Sequence, residues 1–131
     1  MYRSAMTGWL SCEEAVRAHI DDGVPAEKLV LGMPFYGRGK EPLANFVDYS
    51  DIIALGSEYT REWDEEAQSP YITYDGKVVC TYDTPQSIAV KCSYIREAGM
   101  KGAMYWDYDG DDAAGTLRKA VHKGIFNSKT N

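Results

Sequence analysis

The sequence predicts an α/β fold in which helices alternate with short strands of a parallel sheet. Two apolar runs lead to this prediction: KLVLGMPFY at residues 28–36 and KGAMYW at residues 101–106. A short uninterrupted apolar run after a helix and a tight loop is typical of a parallel strand buried on both faces. Strands and helices that alternate at this spacing indicate βα units. Two parallel strands cannot close a barrel or cover both faces of a sheet, so the predicted sheet is incomplete.

Helix signals flank both runs. A capping box opens the first helix at Ser11, and Trp9 ahead of it is expected to pack as a hydrophobic staple rather than to line a cleft. A second long helix follows residues 83–84, either of which can cap it, and closes at Gly99. The segment AAGTLRKAVHKGI at residues 113–125 predicts the last helix. Each predicted strand therefore has a helix beside it in the sequence.

Residues 41–82 form a predicted insertion between the first strand and the second long helix. Its strongest signal is YITYDGKVVCTY at residues 71–82, where the DG dipeptide makes a two-residue turn between β-rich flanks. VDYSDIIAL predicts a short helix at residues 47–55, and REWDEEAQSP predicts a polar loop or helical turn at residues 61–70. The insertion is thus expected to contain one small hairpin.

The composition disfavours two classes of partner. The 131 residues are 44% hydrophobic and carry a net charge of −6, which disfavours nucleic acid and anionic membranes because both require a basic surface. The N-terminal MYRSAMTGWLS predicts neither a signal peptide nor a membrane anchor. Cys12, Cys80 and Cys92 are widely spaced, so free thiols are expected, although one disulfide stays open. No cofactor is expected.

The stretch GAMYWDYDGDD at residues 102–112 has three chemical interpretations: a calcium loop, a catalytic acid cluster, or a strand end that holds a ligand. Its aspartates alternate as at the start of an EF-hand. The sixth and twelfth loop positions, however, hold Asp112 and Arg118 instead of Gly and Glu. No metal is therefore expected. The aspartates are predicted to cap the following helix, whose N-terminal dipole favours negative charge, or to border a cleft.

Three blocks of the sequence, in this order, resemble glycoside hydrolase family 18, the chitinase family. GVPAEKLVLGMPFYGRG resembles the region of its seventh strand, and YDTPQSIAVKCSYIREAGMKGAMYWDYDGDD resembles its last helix and eighth strand. WDEEAQSPYITYDGKVVCTYD resembles a short version of the insertion that lies between them. The resemblance covers about residues 11–121. It implies that residues 1–131 are the C-terminal part of a (β/α)8 TIM barrel, a fold that needs about 250 residues.

The resemblance also implies which residues contact substrate. Trp106 matches a tryptophan at the end of strand eight, where a flat apolar ring packs beneath a sugar. Tyr36 and Arg38, in PFYGRG, match residues that reach the substrate from strand seven and hydrogen-bond its hydroxyls and carbonyls. Asp107, beside the tryptophan, and Trp63, in the insertion, are further candidates for contact with the glycan.

The family's catalytic signature, D-x-x-D-x-D-x-E, does not occur in this sequence, so no catalytic residue is assigned. The expected function is substrate positioning in a chitinase-like hydrolase of β-1,4-linked N-acetylglucosamine glycans, with the isolated segment inactive. Two alternatives stay open: a non-catalytic chitin- or oligosaccharide-binding protein, and a peptidoglycan or glycan-core hydrolase of the same family. The resemblance implies a secreted or cell-envelope parent, and exposed strand edges predict self-association of the segment.

Overall fold

The computed structural model describes residues 1–6 and 10–126, so the packing expected of Trp9 lies outside the described residues. The helices are α1 (Cys12–Asp21), α2 (Tyr49–Ile53), α3 (Pro85–Ala98) and α4 (Thr116–Phe126). The strands are β1 (Val30–Pro34), β2 (Tyr36–Gly39), β3 (Phe46–Asp48), β4 (Tyr59–Asp64), β5 (Ser69–Tyr74), β6 (Lys77–Thr81) and β7 (Gly102–Trp106). The described chain is therefore a mixed α/β structure.

The strands form two separate sheets. β1 and β7 pair in parallel, with Val30 opposite Gly102 and Pro34 opposite Trp106. The other five strands form an antiparallel sheet in the order β3-β2-β6-β5-β4. The parallel pair predicted from the two apolar runs is confirmed. The second sheet is larger than the single hairpin that the sequence predicted.

The larger hydrophobic core lies between the parallel pair and the helices α1, α3 and α4. Phe35 and Leu117 are fully buried in it. Along β1, Leu31 and Met33 are buried, whereas Val30 is 45% exposed. The prediction that the two parallel strands are buried on both faces is therefore wrong for the described residues, because helices cover only one face of β1 and the last three residues of β7 are exposed.

The apolar run at residues 28–36 is two strands rather than one. It breaks at Phe35, whose N–H donates to the Trp106 carbonyl oxygen at 2.6 Å and whose ring stacks on Tyr105 with centroids 4.4 Å apart. The chain leaves the parallel pair at this point and enters the antiparallel sheet. Tyr36, predicted to end a buried strand, is instead the first residue of β2.

The prediction of a loop or helical turn at residues 61–70 is wrong. Most of these residues belong to β4 and β5, which pair up to Asp64 opposite Ser69. The turn between the strands is closed by Asp64, whose carboxylate accepts hydrogen bonds from the N–H groups of Glu66 and Ala67 at 3.0 Å. β4 is an edge strand with a mostly exposed surface. Its sequence therefore lacks the alternation of apolar and polar residues that would have predicted a strand.

The local signals for helix ends and for the hairpin turn are confirmed. Ser11 and Glu14 form the capping box of α1, with the Glu14 N–H donating to the Ser11 hydroxyl at 3.3 Å. Gly99 ends α3 in the left-handed conformation. Asp75 and Gly76 both have positive φ, as a tight hairpin turn requires. Among the described residues, none of the helices is both long enough and apolar enough to cross a membrane.

The five-stranded sheet has a small core of its own on one face. Ile52, from α2, packs there with Ile72 and Cys80, and each of the three is at most 1% exposed. The short helix predicted at residues 47–55 is present over Tyr49–Ile53 and packs Ile52 onto the sheet, whereas residues 47 and 48 belong to β3. The two cores meet at Tyr82, which is partly buried and contacts both.

Replacing Gly37 with alanine is expected to destabilise the protein by about 1–3 kcal/mol, the usual cost of overpacking a core. The added Cβ would stand 2.7 Å from both Cys80 Sγ and Ile52 Cδ1, so these side chains would have to move. Urea unfolding measures the change. Gly32→Ala is the matched control, because its Cβ would meet only the flexible Met104 sulfur at 3.3 Å. Equal losses for the two variants would contradict the prediction.

Candidate functional site

Trp106 stands at the carboxyl end of β7 with 66% of its surface exposed. Its backbone is fixed, because it pairs with Pro34 in the parallel register and its carbonyl oxygen accepts the Phe35 N–H. The preceding Tyr105 is held by its stack on Phe35. The backbone of Trp106 is thus anchored on the core while its side chain is available to a ligand.

Tyr36 and Arg38 lie two residues apart on β2, so both side chains are on the same face of the antiparallel sheet. Phe46 of β3 joins them. The Arg38 guanidinium lies 4.5 Å above the Phe46 ring, and the Tyr36 ring meets Phe46 edge-on with centroids 5.6 Å apart. Phe46 is 57% exposed and was missed by sequence reasoning. The three side chains form an aromatic and cationic cluster.

An open cavity of about 660 Å³ lies beside this cluster and is lined by Tyr36 and Arg38. Further residues complete its wall, among them the neighbouring Pro34 and the more distant Asp64, Tyr71, Thr81, Asp83 and Lys91. Because Pro34 is directly opposite Trp106, the tryptophan adjoins the cavity without lining it. The structure therefore brings three of the five predicted contact residues to one place.

A buried ion pair forms part of the cavity wall. Lys91 Nζ lies 2.5 Å from an Asp83 carboxylate oxygen, and the Ser87 hydroxyl donates to the other oxygen at 2.7 Å. The side chains of Lys91 and Asp83 are only 7% and 5% exposed. Sequence reasoning missed this group, although its four-residue spacing would place all three side chains on one face of a helix.

The second carboxylate of the cavity wall, Asp64, is a structural anion. A hydrogen bond from the Ser4 hydroxyl, aided by the N–H groups of Ala67 and Glu66, lowers the pKa of Asp64 below its usual value. A general acid at neutral pH needs the opposite shift. Asp64 is therefore suited to holding the turn between β4 and β5 and not to donating a proton at neutral pH.

The other two predicted contact residues do not line the cavity. Trp63 is half-buried on β4, and its indole N–H is buried without a hydrogen-bond partner among the described residues. Asp107 follows Trp106 directly, through a cis peptide bond. The Asp107 carboxylate accepts the Gly110 N–H at 3.1 Å and so caps a short 3₁₀ turn. Asp107 is thus adjacent to Trp106 in the chain, but its carboxylate is used in capping this turn.

Two of the aspartates after the strand, Asp111 and Asp112, cap the last helix, as the sequence predicted. Asp111 accepts hydrogen bonds from the N–H groups of Leu117 and Arg118 at 3.0 Å, and Asp112 accepts the Thr116 N–H at 2.8 Å. α4 therefore begins at Thr116, three residues later than predicted. Within residues 1–6 and 10–126, no group of three or more His, Cys, Asp or Glu side chains is placed to hold a metal ion.

The stability of the protein is expected to fall as the pH rises from about 9 to 11. The three cysteines are free, and burial raises the pKa of Cys80 from 9.0 to about 11. In this window the Cys80 thiol keeps its proton in the folded chain and loses it in the unfolded chain. The free energy of unfolding therefore falls by up to about 3 kcal/mol as the pH rises. Urea unfolding at a series of pH values measures the slope.

Cys80→Ala is the control for this titration. Burial also raises the pKa of Tyr49 and Tyr82, so the variant should reduce the alkaline slope without abolishing it. A slope unchanged by Cys80→Ala would show that the thiol is not responsible.

Comparison with known proteins identifies the family. Residues 1–111 match the model described as glycosyl hydrolases family 18. The chain belongs to glycoside hydrolase family 18. It is 34% identical over 120 residues to Chitinase A1 of Niallia circulans, an alignment that covers 72% of this chain and 17% of that protein. The resemblance inferred from the three sequence blocks is confirmed.

Solved structures of a chitinase and of a pseudo-chitinase share the fold. Chitinase ChiW from Paenibacillus sp. strain FPU-7, a cell-surface-expressed multi-modular enzyme, is 28% identical with a TM-score of 0.87 and covers 98% of this chain. Human YKL-39, a pseudo-chitinase with retained chitooligosaccharide binding, is 25% identical with a TM-score of 0.77 and covers 87%. The chain spans 17% and 39% of these two proteins. Its α/β fold therefore resembles a piece of a chitinase barrel domain.

Proposed function

We propose that this family 18 chain is the C-terminal part of a chitinase-like (β/α)8 barrel, in which β1 and β7 are strands seven and eight. Residues 1–131 then form one partial barrel domain, and residues 41–82 contribute the insertion with its hairpin. The open face of the parallel pair supports this assignment, because a barrel needs further strands to bury it. The small share of each relative that the chain covers supports it as well.

The proposed function is to position a β-1,4-linked N-acetylglucosamine glycan. The observation that carries it is the arrangement of the exposed Trp106 beside a cavity lined by Tyr36 and Arg38. Barrel enzymes bind substrates at the carboxyl ends of their strands, which is where Trp106 lies. An indole face can pack beneath a pyranose ring and its acetamido methyl group, while a phenol and a guanidinium hydrogen-bond its oxygens.

In the proposed function, this chain does not supply the catalytic acid. The family signature D-x-x-D-x-D-x-E does not occur in the sequence. Asp64 and Asp83 are engaged in structural contacts. The parent protein is then a glycosidase that cleaves O-glycosyl bonds, secreted or associated with the cell envelope, and the 131-residue chain binds glycan without hydrolysing it.

Titration of the chain with N-acetylglucosamine oligomers of two to six units tests this function. We expect saturable binding by isothermal titration calorimetry, and no release of chromophore from a chromogenic chitobioside. Cello-oligomers of the same lengths are the control, because they share the β-1,4 linkage and lack the acetamido group. Equal affinity for both series of oligomers would contradict the proposed specificity for N-acetylglucosamine. Measurable hydrolysis of the chitobioside would contradict the proposed inactivity of the segment.

A non-catalytic glycan-binding protein is the second candidate, favoured by the similarity to the pseudo-chitinase YKL-39. Both candidate functions predict the same oligosaccharide binding by this chain. They differ in whether the parent protein hydrolyses the glycan. Hydrolysis of chitin oligomers by the whole protein would support the enzyme, whereas binding without hydrolysis would support the second candidate.

The 131-residue polypeptide is expected to self-associate through its parallel pair. Among the described residues, neither β1 nor β7 has a second partner strand, and Val30 and Met104 are 45% and 49% exposed. Exposed apolar strand edges favour pairing with another chain. Sedimentation velocity should show a mass that rises with concentration, and Met104→Lys should reduce the rise. A monomer at high concentration would contradict this prediction.

A further inference from the structure

The outward side of α4 is basic, although the chain as a whole is acidic. The chain has a net charge of −6, whereas α4 contains no Asp or Glu. Its exposed and half-buried basic side chains, here named the basic face, are Arg118, Lys119, His122 and Lys123. Positive charge is thus concentrated on one side of one helix.

An open cavity of about 480 Å³ lies on the basic face. Among the described residues, its wall consists of the four basic side chains and includes no carboxylate. It shares no residue with the larger cavity beside Tyr36 and Arg38. Within the part of the chain that the structure describes, neither Lys119 nor Lys123 forms a salt bridge. These two charges are therefore available to a partner, at a place separate from the proposed glycan site.

Arg118 is the fixed member of the basic face. Its guanidinium carbon lies 4.1 Å from the centroid of the Tyr108 ring, and its Nε lies 3.7 Å from a carboxylate oxygen of Asp111. The Asp111 carboxylate is itself held by the N–H groups that it caps. A side chain that is already held loses less conformational entropy when a partner binds beside it.

An exposed aromatic ring lies within the basic face. Phe126 is 68% exposed, and its ring centroid lies 5.0 Å from that of His122. Successive residues turn by about 100° around a helix, so Phe126 lies roughly 180° from Leu117. Leu117 is fully buried in the larger core, so Phe126 points away from the sheets. Further barrel helices packed beside α4 would leave this side of it open.

The combination of lysines and an exposed ring suits an acidic helix that also carries apolar side chains. Carboxylates on one face of such a helix recur every three or four residues, which matches the spacing of Lys119 and Lys123. An apolar side chain between them can pack on the Phe126 ring. A long polyanion would leave the ring unused, and the net charge of −6 would repel it more strongly than a short segment. Charge complementarity therefore favours a short acidic amphipathic helix.

We propose that the basic face of α4 is a docking surface for an acidic amphipathic helix of a protein partner. The residues that match the family model end at 111, before α4 begins at Thr116. The surface lies on the opposite side of α4 from the core and uses none of the residues assigned to the glycan. It is therefore a second interaction site, and it does not depend on the proposed function.

Titration with a synthetic helical peptide tests the surface. The probe is a fluorescein-labelled peptide of glutamate, leucine and alanine, with glutamates four positions apart and leucines between them. We expect saturable binding to the 131-residue chain by fluorescence anisotropy, and the binding should weaken as salt screens the exposed charges. Reversing both free charges, Lys119→Glu with Lys123→Glu, is expected to weaken it about tenfold.

Lys28→Glu with Lys77→Glu is the matched control. Both lysines are exposed, neither lines either cavity, and the change in net charge is the same. This variant should bind the peptide like the unaltered chain, because it leaves the basic face intact. Equal losses in the two double variants would show that only net charge matters and would overturn the docking surface. An unaltered chain that does not bind the peptide would overturn it as well.

A further variant distinguishes a protein partner from a bare polyanion. Phe126→Ala should weaken binding of the peptide about fivefold, the loss of one aromatic contact, and should leave the binding of inorganic polyphosphate unchanged. A peptide with alanine in place of every leucine should lose affinity to a similar extent. If polyphosphate bound more tightly than the peptide and Phe126→Ala affected neither, the face would be a polyanion site and the proposed partner would be wrong.

Discussion

Trp106→Ala is expected to weaken binding of the N-acetylglucosamine dimer about thirtyfold while the protein stays folded. Loss of an aromatic contact at the centre of a binding site removes about 2 kcal/mol, which corresponds to that change in Kd. Because the Trp106 side chain is 66% exposed, its removal leaves the core intact, and the free energy of unfolding should change by less than about 0.5 kcal/mol. Calorimetric titration and urea unfolding measure the two effects separately.

Phe126→Ala is the control for the loss of an exposed aromatic ring. Phe126 is 68% exposed at the end of α4 and does not line the cavity. Its ring centroid lies 5.0 Å from that of His122. Its removal should leave glycan binding unchanged. Trp106→Phe keeps a smaller ring and should retain part of the affinity. If Trp106→Ala bound the dimer as tightly as Phe126→Ala does, the tryptophan would have no part in the site.

The parts of the fold that sequence reasoning predicted are those governed by local contacts. The capping box at Ser11, the left-handed Gly99 and the hairpin turn at Asp75 depend on residues within one turn of each other. The two parallel strands were predicted because a short continuous apolar run is itself a strand signal, although the burial on both faces that was expected with it is not observed. A local signal of this kind does not depend on the rest of the chain.

The errors arise where the outcome depends on distant contacts. The run at residues 28–36 contains no marker at Phe35, yet its N–H bonds to Trp106, more than seventy positions away, and the chain turns there into a second sheet. β4 looked like a loop because an exposed edge strand needs neither apolar alternation nor a buried face. Only its pairing with β5 makes it a strand.

The candidate site shows the same division. Trp106, Tyr36 and Arg38 could be selected because the resemblance to family 18 places them at strand ends. Phe46 and Tyr71 could not, because they come to lie on one face of the sheet only through the register of four strands. A cross-strand neighbour is fixed by pairing geometry, which no short stretch of sequence contains.

Lys91→Met is expected to destabilise the protein by about 3–5 kcal/mol, a large share of the roughly 5–15 kcal/mol that holds a domain folded. The loss comes from the charge that remains buried. Asp83, with its side chain 5% exposed, would lose its ion pair and, among the described residues, keep the hydrogen bond from Ser87. Methionine has similar bulk, so the loss reports the charge rather than a cavity. Urea unfolding of the variant measures it.

Two further variants separate this effect from a general loss of charge. Arg17→Ala removes the surface pair of Arg17 with Glu13, whose side chains are 65% and 24% exposed, and should cost less than about 0.5 kcal/mol because water screens it. Combining Lys91→Met with Asp83→Asn removes both charges and should recover part of the loss, because no unpaired charge stays buried. If Lys91→Met cost no more than Arg17→Ala, or if Asp83→Asn only added to the damage, the pair would not act as a buried ion pair in the cavity wall.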